Sequence, residues 1–229
     1  FFATAMNTDA IDAAGLTPIE PELAAIAGIA NLDELATVLG RLRQTASGGL
    51  FGNFVFADQK QSDRNALYIS QGGLSLPSKD YYFSEAFAKV REQFKEHVAK
   101  MFTLAGSTPE EAAAAADTLL SLETALAENA KTPVELRDRV ANYNRLSYAE
   151  LEQVLSNLPV LRVLRDAGLP LDRVDYVIAG QPKFLEGLNR LLAERPIGDW
   201  KTYLRYRVLI GASPALARPF EEEQFRFYS

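Results

Sequence analysis

The sequence has no cysteine and a single histidine among its 229 residues. Without cysteine, the chain forms no disulfide, offers no thiolate to a metal ion and has no cysteine nucleophile. With only His97, it cannot form a His-Glu-x-x-His zinc motif, which needs two imidazoles one helical turn apart. A Ser-His-Asp triad would also require His97, but its spacing from Phe94 and Met101 puts it on the apolar face of a helix. This position indicates a hydrogen-bonded packing histidine.

Basic residues are outnumbered: the sequence has 24 of them against 30 acidic residues, and its formal net charge is −6. This balance argues against partners such as nucleic acid or anionic lipid. No apolar run reaches the roughly 18 residues that a membrane-spanning helix requires. Residues 1–9 lack the basic start and apolar run of a secretion signal. The sequence therefore predicts no membrane segment and no targeting segment in this chain.

An initiator methionine is missing as well, since the chain begins at Phe1. The last residue, Ser229, directly follows an aromatic run with helical spacing, formed by Phe225, Phe227 and Tyr228. From both ends we expect a piece of a longer protein. The absence of cysteine neither requires nor rules out an oxidising compartment.

Most of the sequence shows helical periodicity, and several helix start signals agree with it. The predicted helices are one over Phe2 to Ala14, one capped by Asn31 and Glu34 and ended by Gly48-Gly49, one from Ser84 to Gly106, one opened by Thr108, Pro109 and Glu111, one opened by Ser147 and Glu150, one over Val160 to Ala167, and one capped by Asp199. Apolar residues at helical spacing mark their core faces: Leu35, Leu39, Leu42 and Ala46; Phe87, Val90, Phe94, Val98 and Met101; Ala112, Ala116, Leu119, Leu122 and Leu126; Leu151, Val154, Leu155 and Leu158; Trp200, Tyr203, Leu204 and Val208.

Between Phe51 and Ser70 the pattern changes to two short β-prone runs that flank a polar turn. A small β-hairpin is therefore predicted around residues 51–70, and residues 175–178 form one more short extended piece. The predicted fold class is mainly α, a multi-helix lobe with one hairpin. We expect residues 1–229 to form a single lobe, and a subdivision, if the lobe has one, falls near residues 131–146.

Acidic pairs are the remaining candidates for acid/base chemistry. Glu110-Glu111 and Glu221-Glu222-Glu223 stand where the first turns and solvated faces of helices usually carry carboxylates. Gly72-Gly73 lacks the spacing of a nucleotide-binding loop. The 13 Phe and 9 Tyr residues have the spacing of a packed core rather than of a ligand channel. We therefore predict that this chain contains no catalytic, cofactor-binding or metal-binding residue.

One segment, Gln71-Gly72-Gly73-Leu74-Ser75-Leu76-Pro77-Ser78-Lys79-Asp80-Tyr81-Tyr82, is unlike a generic helical protein. Its glycines, its proline, a backbone-bonding aspartate and packed tyrosines predict a rigid corner. The segment resembles the Gly-Leu-x-Leu-Pro-x-Arg/Lys-Asp-Tyr-Tyr signature of the neprilysin and endothelin-converting-enzyme family. Further segments similar to that family follow in the family's order: Ala5-Met6-Asn7, Ala10-Ile11, Gly15 to Ile19, Leu122 to Ala127, Glu135 to Asp138, Tyr143-Asn144 and Trp200 to Arg207.

The resemblance implies the mostly helical N-terminal region of a zinc metalloendopeptidase, of bacterial origin. In that family the zinc ligands and the segment that holds the substrate backbone come after the region resembled here, and none matches a position in this chain. The resemblance thus implies that zinc binds in a catalytic domain of the same polypeptide, where it activates water for peptide hydrolysis. The lobe would enclose the substrate cavity and restrict access to peptides. The parent protein is expected outside the cytoplasm, in the periplasm or secreted.

Two other interpretations stay open. A stand-alone helical protein-interaction module would lack a catalytic partner domain and predicts a stop codon near Ser229. An enzyme in its own right would need activity without cysteine and with one buried histidine, so we expect the purified chain to hydrolyse neither peptides nor esters. If a catalytic domain normally covers part of the lobe, that surface should be more apolar than a monomer tolerates.

Overall fold

The computed structural model describes residues 7–45 and 49–229, and these residues form eleven α-helices and one four-stranded sheet. The mainly α fold class is therefore confirmed. In chain order the elements are α1 Thr8–Ala14, α2 Glu20–Ala27, α3 Leu32–Gln44, β1 Phe51–Ala57, β2 Asn65–Gln71, α4 Asp80–Phe83, α5 Ala88–Leu104, α6 Pro109–Glu128, β3 Asn144–Leu146, α7 Tyr148–Val154, α8 Val160–Asp166, β4 Val177–Ala179, α9 Pro182–Glu194, α10 Ile197–Ala212 and α11 Arg218–Tyr228.

Several predicted helix starts are confirmed by their hydrogen bonds. The Asn31 side chain accepts from the Glu34 amide at 2.9 Å at the start of α3. Thr108 opens α6 and Ser147 opens α7, each with a complete capping box. Such caps satisfy amides that have no partner inside the helix, so they fix where the helix begins.

Two predicted starts are wrong. Ser84 caps a short 3-10 turn over Glu85–Phe87 that leads into α5, so it does not cap the helix itself. The last long helix, α10, begins at Ile197 after Pro196, and Asp199 lies in its first turn. Proline fixes its own φ and lacks an amide hydrogen, so it favours a helix start at the next residue.

Some predicted features have other outcomes. The start at Phe2 and the positions Ala46 and Gly48 lie outside the described residues. The predicted long helix ended by the glycine pair closes at Gln44, with Thr45 as its C-cap. The helix α9 was not predicted, although its apolar residues Phe184 and Leu188 are fully buried.

The sheet has the strand order β1-β2-β4-β3. β1 and β2 form the predicted hairpin, with Phe51 opposite Gln71 and Ala57 opposite Asn65. β4, which overlaps the predicted extended piece at residues 177–178, lies parallel to β2. The unpredicted β3 pairs with β4 in the antiparallel sense. β1 is therefore an edge strand along its whole length.

The helices pack against one face of this sheet. Leu67, Ile69, Val177 and Ala179 belong to the same buried cluster as the helical apolar residues. α5 packs along α6, and α10 contributes the buried Trp200 to the centre. The predicted core faces are mostly confirmed, but Phe87, Val90 and Val154 are only half-buried. Among the helices of the described residues, none has the length and apolar character needed to cross a membrane.

Candidate functional site

The predicted rigid corner lies between β2 and α4, and its two glycines allow close packing of backbone. A Cβ atom on Gly72 would come within 2.9 Å of the Gly52 nitrogen. Gly73 has φ +77°, and a Cβ there would lie 2.6 Å from both the Gly49 carbonyl oxygen and the Tyr203 hydroxyl. That hydroxyl lies 2.8 Å from the Gly49 oxygen and 3.0 Å from the Gly73 oxygen. The tyrosine thus joins the corner to α10.

A fully buried carboxylate, Glu123 of α6, lies behind the corner. It accepts hydrogen bonds from the Ser75 hydroxyl at 2.6 Å, the Ser75 amide at 3.0 Å and the Tyr82 hydroxyl at 2.7 Å. Burial raises the pKa of Glu123, and these hydrogen bonds oppose the rise. The Tyr82 hydroxyl also accepts from the Leu76 amide at 3.0 Å. Side chains of α4 and α6 therefore satisfy the corner's backbone.

Three of the family-like segments, which are distant in sequence, thus meet at one place. The corner, the segment Leu122 to Ala127 and the segment Trp200 to Arg207 come together through Glu123 and Tyr203. Spacing alone did not single out either residue for this role. The chemistry that the cluster supports is structural, because its polar groups bond to one another inside the core.

A second network connects the end of β2 to residues 131–143, which we call the 131–143 loop. The Gln71 side chain accepts from the Lys131 amide at 2.7 Å and donates to the Lys131 carbonyl at 3.0 Å. The Gln71 amide donates to the Gln181 side chain at 2.8 Å, and Gln181 donates to Asn142 at 3.2 Å. Asn142 in turn donates to three loop carbonyl oxygens, the nearest of which, that of Asp138, lies 2.7 Å away. These bonds hold the loop in one conformation.

The 131–143 loop nevertheless exposes large apolar side chains. Val134 is 73% exposed, Val140 82% and Leu136 41%. Exposed apolar groups gathered on a rigid loop are typical of a contact surface. The loop is therefore a candidate for the expected apolar surface, which stays a prediction.

A cavity of about 550 Å³ lies beside the loop. It is lined by three lysines, Lys79, Lys131 and Lys183, and by the carboxylates Glu128 and Glu135. The Lys79 ammonium donates to the Glu128 carbonyl at 2.7 Å, and the Lys131 ammonium donates to the Asn142 side chain at 2.8 Å. Two of the three cations are thus engaged in holding the cavity wall.

The outer face of the sheet carries a small tyrosine cluster around Asp58. This buried carboxylate accepts from the Tyr176 hydroxyl at 2.5 Å, the Tyr143 hydroxyl at 3.0 Å and the Lys60 amide at 2.7 Å. Burial opposes the charge, but these hydrogen bonds hold the pKa of Asp58 below its ordinary value. Arg145 lies 3.9 Å from the centre of the Tyr176 ring, so cations cover the cluster.

His97 is fully buried, and its Nδ1 lies 2.8 Å from an oxygen of Glu223 on α11. Its ring also stacks on Phe227 at 4.7 Å. The predicted hydrogen-bonded packing role is therefore what the geometry supports. The placement of Glu223 on a solvated face is wrong, because the residue is 7% exposed and pairs with Arg226 as well as with His97. The neighbouring Glu221 and Glu222 are exposed, as predicted.

The donor set of the described residues does not suit zinc. Within residues 7–45 and 49–229, no three residues of the types His, Asp and Glu come together as metal ligands. The single imidazole already bonds to Glu223 through Nδ1, and its Nε2 is buried among aromatic rings. The described residues thus offer no ligand set for a zinc ion, and the absence of a metal-binding residue from the chain stays a prediction.

Known proteins resemble most or all of the chain. The family model described as peptidase family M13 matches residues 1–229. The zinc metalloprotease Zmp1 of Mycobacterium tuberculosis, in its open state, superposes with a TM-score of 0.95 at 32% identity, over 100% of this chain and 35% of Zmp1. The neutral endopeptidase of Lactobacillus helveticus is 24% identical over 99% of this chain and 35% of its own length. The mouse membrane metallo-endopeptidase-like 1 is 30% identical over 74% of this chain and 24% of its own length. The chain thus spans about a quarter to a third of these relatives.

Proposed function

Because the chain belongs to peptidase family M13, we propose that it is the non-catalytic helical lobe of a zinc metalloendopeptidase. In this proposal residues 1–229 act as one lobe that encloses the substrate cavity and admits only peptides. A catalytic domain of the same polypeptide holds the zinc ion and hydrolyses the substrate. The parent protein works outside the cytoplasm, in the periplasm or secreted.

The observation that carries the proposal is the superposition on Zmp1. The whole of this chain, at 32% identity, matches only 35% of a zinc metalloprotease. The described residues offer no zinc donor set, so the proposal assigns the metal to the remaining part of such a protein. A division into a helical lobe and a separate catalytic domain accounts for both observations.

The distribution of exposed apolar residues supports contact with a further domain. Six of the nine large hydrophobic residues that are exposed in the described part lie on β1 or on the 131–143 loop, namely Phe54, Val55, Phe56, Val134, Leu136 and Val140. Contiguous apolar surface is costly in water and marks contact sites. We assign the loop part of this surface to the catalytic domain.

The test compares this chain with a protein extended from it to the length of its relatives. The longer protein should bind about one zinc ion per molecule, measured by mass spectrometry of the metal, and should cleave short peptides. Residues 1–229 alone should do neither. Peptide cleavage by the 229-residue chain, or a gene that continues without any zinc-binding histidine pair, would overturn the proposal. The second result would favour the stand-alone interaction module.

Restricted access has its own test in the longer protein. Cleavage rates for a short peptide and for a long unfolded protein that contains the same sequence should differ strongly, because an enclosing lobe excludes the larger chain. A soluble thermolysin-type peptidase with an open cleft serves as the control. Equal rates for both substrates would contradict the enclosure while leaving the peptidase assignment intact.

A further inference from the structure

The outer edge of β1 presents backbone groups that no residue of the described part of the chain pairs with. Ile69, which lies opposite Asn53, gives its carbonyl oxygen to the Gly180 amide on the far side of β2. The Asp58 amide, beyond the end of β1, donates to the Arg64 carbonyl at 2.8 Å and continues the ladder. Because bonding alternates along an antiparallel pair, the even-numbered residues of β1 bond to β2. The odd-numbered residues turn their N–H and C=O groups outward.

The two ends of this edge are already occupied. The Phe51 carbonyl accepts from the Arg43 guanidinium at 3.0 Å, and the Ala57 carbonyl accepts from the Tyr68 hydroxyl at 3.0 Å. Between them, the backbone amides and carbonyls of Asn53 and Val55 have no partner among residues 7–45 and 49–229. The free groups therefore form one short, central docking edge.

The edge also lacks the features with which proteins usually protect a free strand. Residues Phe51–Ala57 have the sequence FGNFVFA, which contains no charged residue and no proline. Natural edge strands are normally blunted by lysine, proline, a bulge or an inward-pointing charge. Phe54, Val55 and Phe56 are 50%, 44% and 65% exposed, so apolar side chains flank the free backbone on both faces. The strand is thus suited to pairing.

We propose that the Asn53–Val55 edge binds an extended, uncharged peptide segment by strand addition, as a peptide-binding site of the lobe. Main-chain hydrogen bonds to Asn53 and Val55 give the affinity, and apolar side chains of the peptide lie against Phe54 and Phe56 on one face and Val55 on the other. This inference rests on the proposed function, because a lobe that encloses a peptide cavity meets extended chains.

Charge and size favour a peptide over a second copy of the chain. The strand itself carries no charge. The Arg43 guanidinium beside it already bonds to the Phe51 carbonyl and the Asn53 side chain, so the edge does not select a charged partner. A stable interface between folded proteins typically uses about 20–30 residues on each side. β1 supplies only seven residues. An extended peptide needs no more than this, because most of its contacts are made through its backbone.

The experiment measures binding of a fluorescent, uncharged seven-residue peptide of alternating valine and threonine, with blocked ends, by anisotropy. Val55→Pro removes one outward amide hydrogen and leaves the ladder to β2 untouched, and proline is tolerated on strand edges. It should weaken binding at least about tenfold. Val55→Thr keeps the amide hydrogen and the strand propensity, so its affinity should stay within about twofold of the parent. Circular dichroism verifies that both variants are folded.

The same peptide, N-methylated at alternate residues, tests whether the peptide's own backbone amides take part in binding. This peptide should bind more weakly by a similar factor, because methyl groups block the peptide amides that would donate to β1. Equal binding of methylated and unmethylated peptides, or equal effects of Val55→Pro and Val55→Thr, would overturn strand addition. Concentration-dependent dimers that Val55→Pro dissolves would assign the edge to a second copy and overturn the proposal as well.

The two proposals fail in different ways. If the longer protein binds zinc and cleaves peptides while the edge binds none, only the strand-addition site is wrong. If the edge binds the peptide with the expected losses while the longer protein neither binds zinc nor cleaves, the binding site stands and the peptidase lobe is wrong.

Discussion

The corner behind β2 and the free edge of β1 differ in whether their backbone polar groups are hydrogen-bonded. At the corner, the amides of Ser75 and Leu76 and the carbonyl of Gly73 all bond to side chains from α4, α6 and α10. At the edge, the corresponding groups of Asn53 and Val55 face outward. Satisfied groups stabilise the fold, whereas free groups next to apolar side chains are available to another chain. The signature segment thus builds the scaffold, and the binding capacity lies on the sheet side.

The largest expected effect is at the carboxylate on which the corner depends. Glu123→Ala leaves the Ser75 hydroxyl and amide and the Tyr82 hydroxyl without their buried acceptor. We expect a loss of about 3 kcal/mol in the free energy of unfolding, measured with urea. Glu128→Ala, at an exposed position on the same helix, is the control and should cost less than about 0.5 kcal/mol. Equal losses in both variants would show that the corner does not depend on this network.

A smaller effect is expected at the backbone of the corner. Gly73→Ala meets both an unfavourable φ of +77° and contacts of 2.6 Å with the Gly49 oxygen and the Tyr203 hydroxyl. Gly106→Ala meets only the unfavourable φ of +87°, since nothing lies within 4 Å of its added Cβ. The first variant should lose about 2 kcal/mol or more and the second about 1 kcal/mol in thermal or urea unfolding. If Gly106→Ala costs as much as Gly73→Ala, the close approach of the corner to Tyr203 contributes nothing.

A third test concerns the buried contact between His97 on α5 and Glu223 on α11. Burial lowers the pKa of His97 below its ordinary 6.5, so below that pH the unfolded chain binds a proton that the native state lacks. Stability is then complete above about pH 6.5 and falls as the pH decreases, by up to about 1.4 kcal/mol per pH unit for one proton.

The measurement compares the wild type with His97→Gln at pH 7.5 and pH 5.5. The parent should lose roughly 1 kcal/mol more than the variant over this interval. In the parent, hydrogen bonds from Arg226 and His97 outweigh the burial of Glu223 and keep its pKa below its ordinary value. The variant retains the two bonds from Arg226 to this carboxylate. Parallel pH profiles of the two proteins would show that His97 titrates as it does in the unfolded chain.

Features with short-range causes were predictable from the sequence, and features with long-range causes were not. The capping boxes at Thr108 and Ser147 and the β1–β2 hairpin depend on residues a few positions apart, and each was found. The strand β3 has only three residues and exists because β4, about thirty positions later, pairs with it. In α9, Gly187 lowers the helix propensity, which hides the helix from sequence analysis. The glycine is there because Asn129 packs against it: a Cβ atom at position 187 would lie 2.5 Å from the Asn129 side chain.

The candidate site divides in the same way. The signature segment was recognisable as a corner because glycine and proline have conformational meaning by themselves. The role of Glu123 was not, because its partner Ser75 lies 48 positions away. Glu223 was misplaced for the same reason, since its partner His97 is 126 positions away. Sequence alone does not distinguish a carboxylate that is buried with partners from one that is solvated, because the partners are distant in the chain.

The smallest expected effect, on the sheet side, is the one that separates binding from stability. Val140 is 82% exposed on the 131–143 loop, so Val140→Ser removes apolar area that the fold itself does not use. The free energy of unfolding should change by less than about 0.5 kcal/mol, whereas binding of a hydrophobic dye to the 229-residue chain should decrease. Phe225→Ser, at a 71% exposed position on α11, controls for loss of any apolar side chain.

In the longer protein only Val140→Ser should loosen the contact between the two domains, measured as faster amide exchange in the 131–143 loop. A Val140→Ser protein that is strongly destabilised as the isolated chain would mean that the loop serves the fold, and the contrast with the corner would no longer hold.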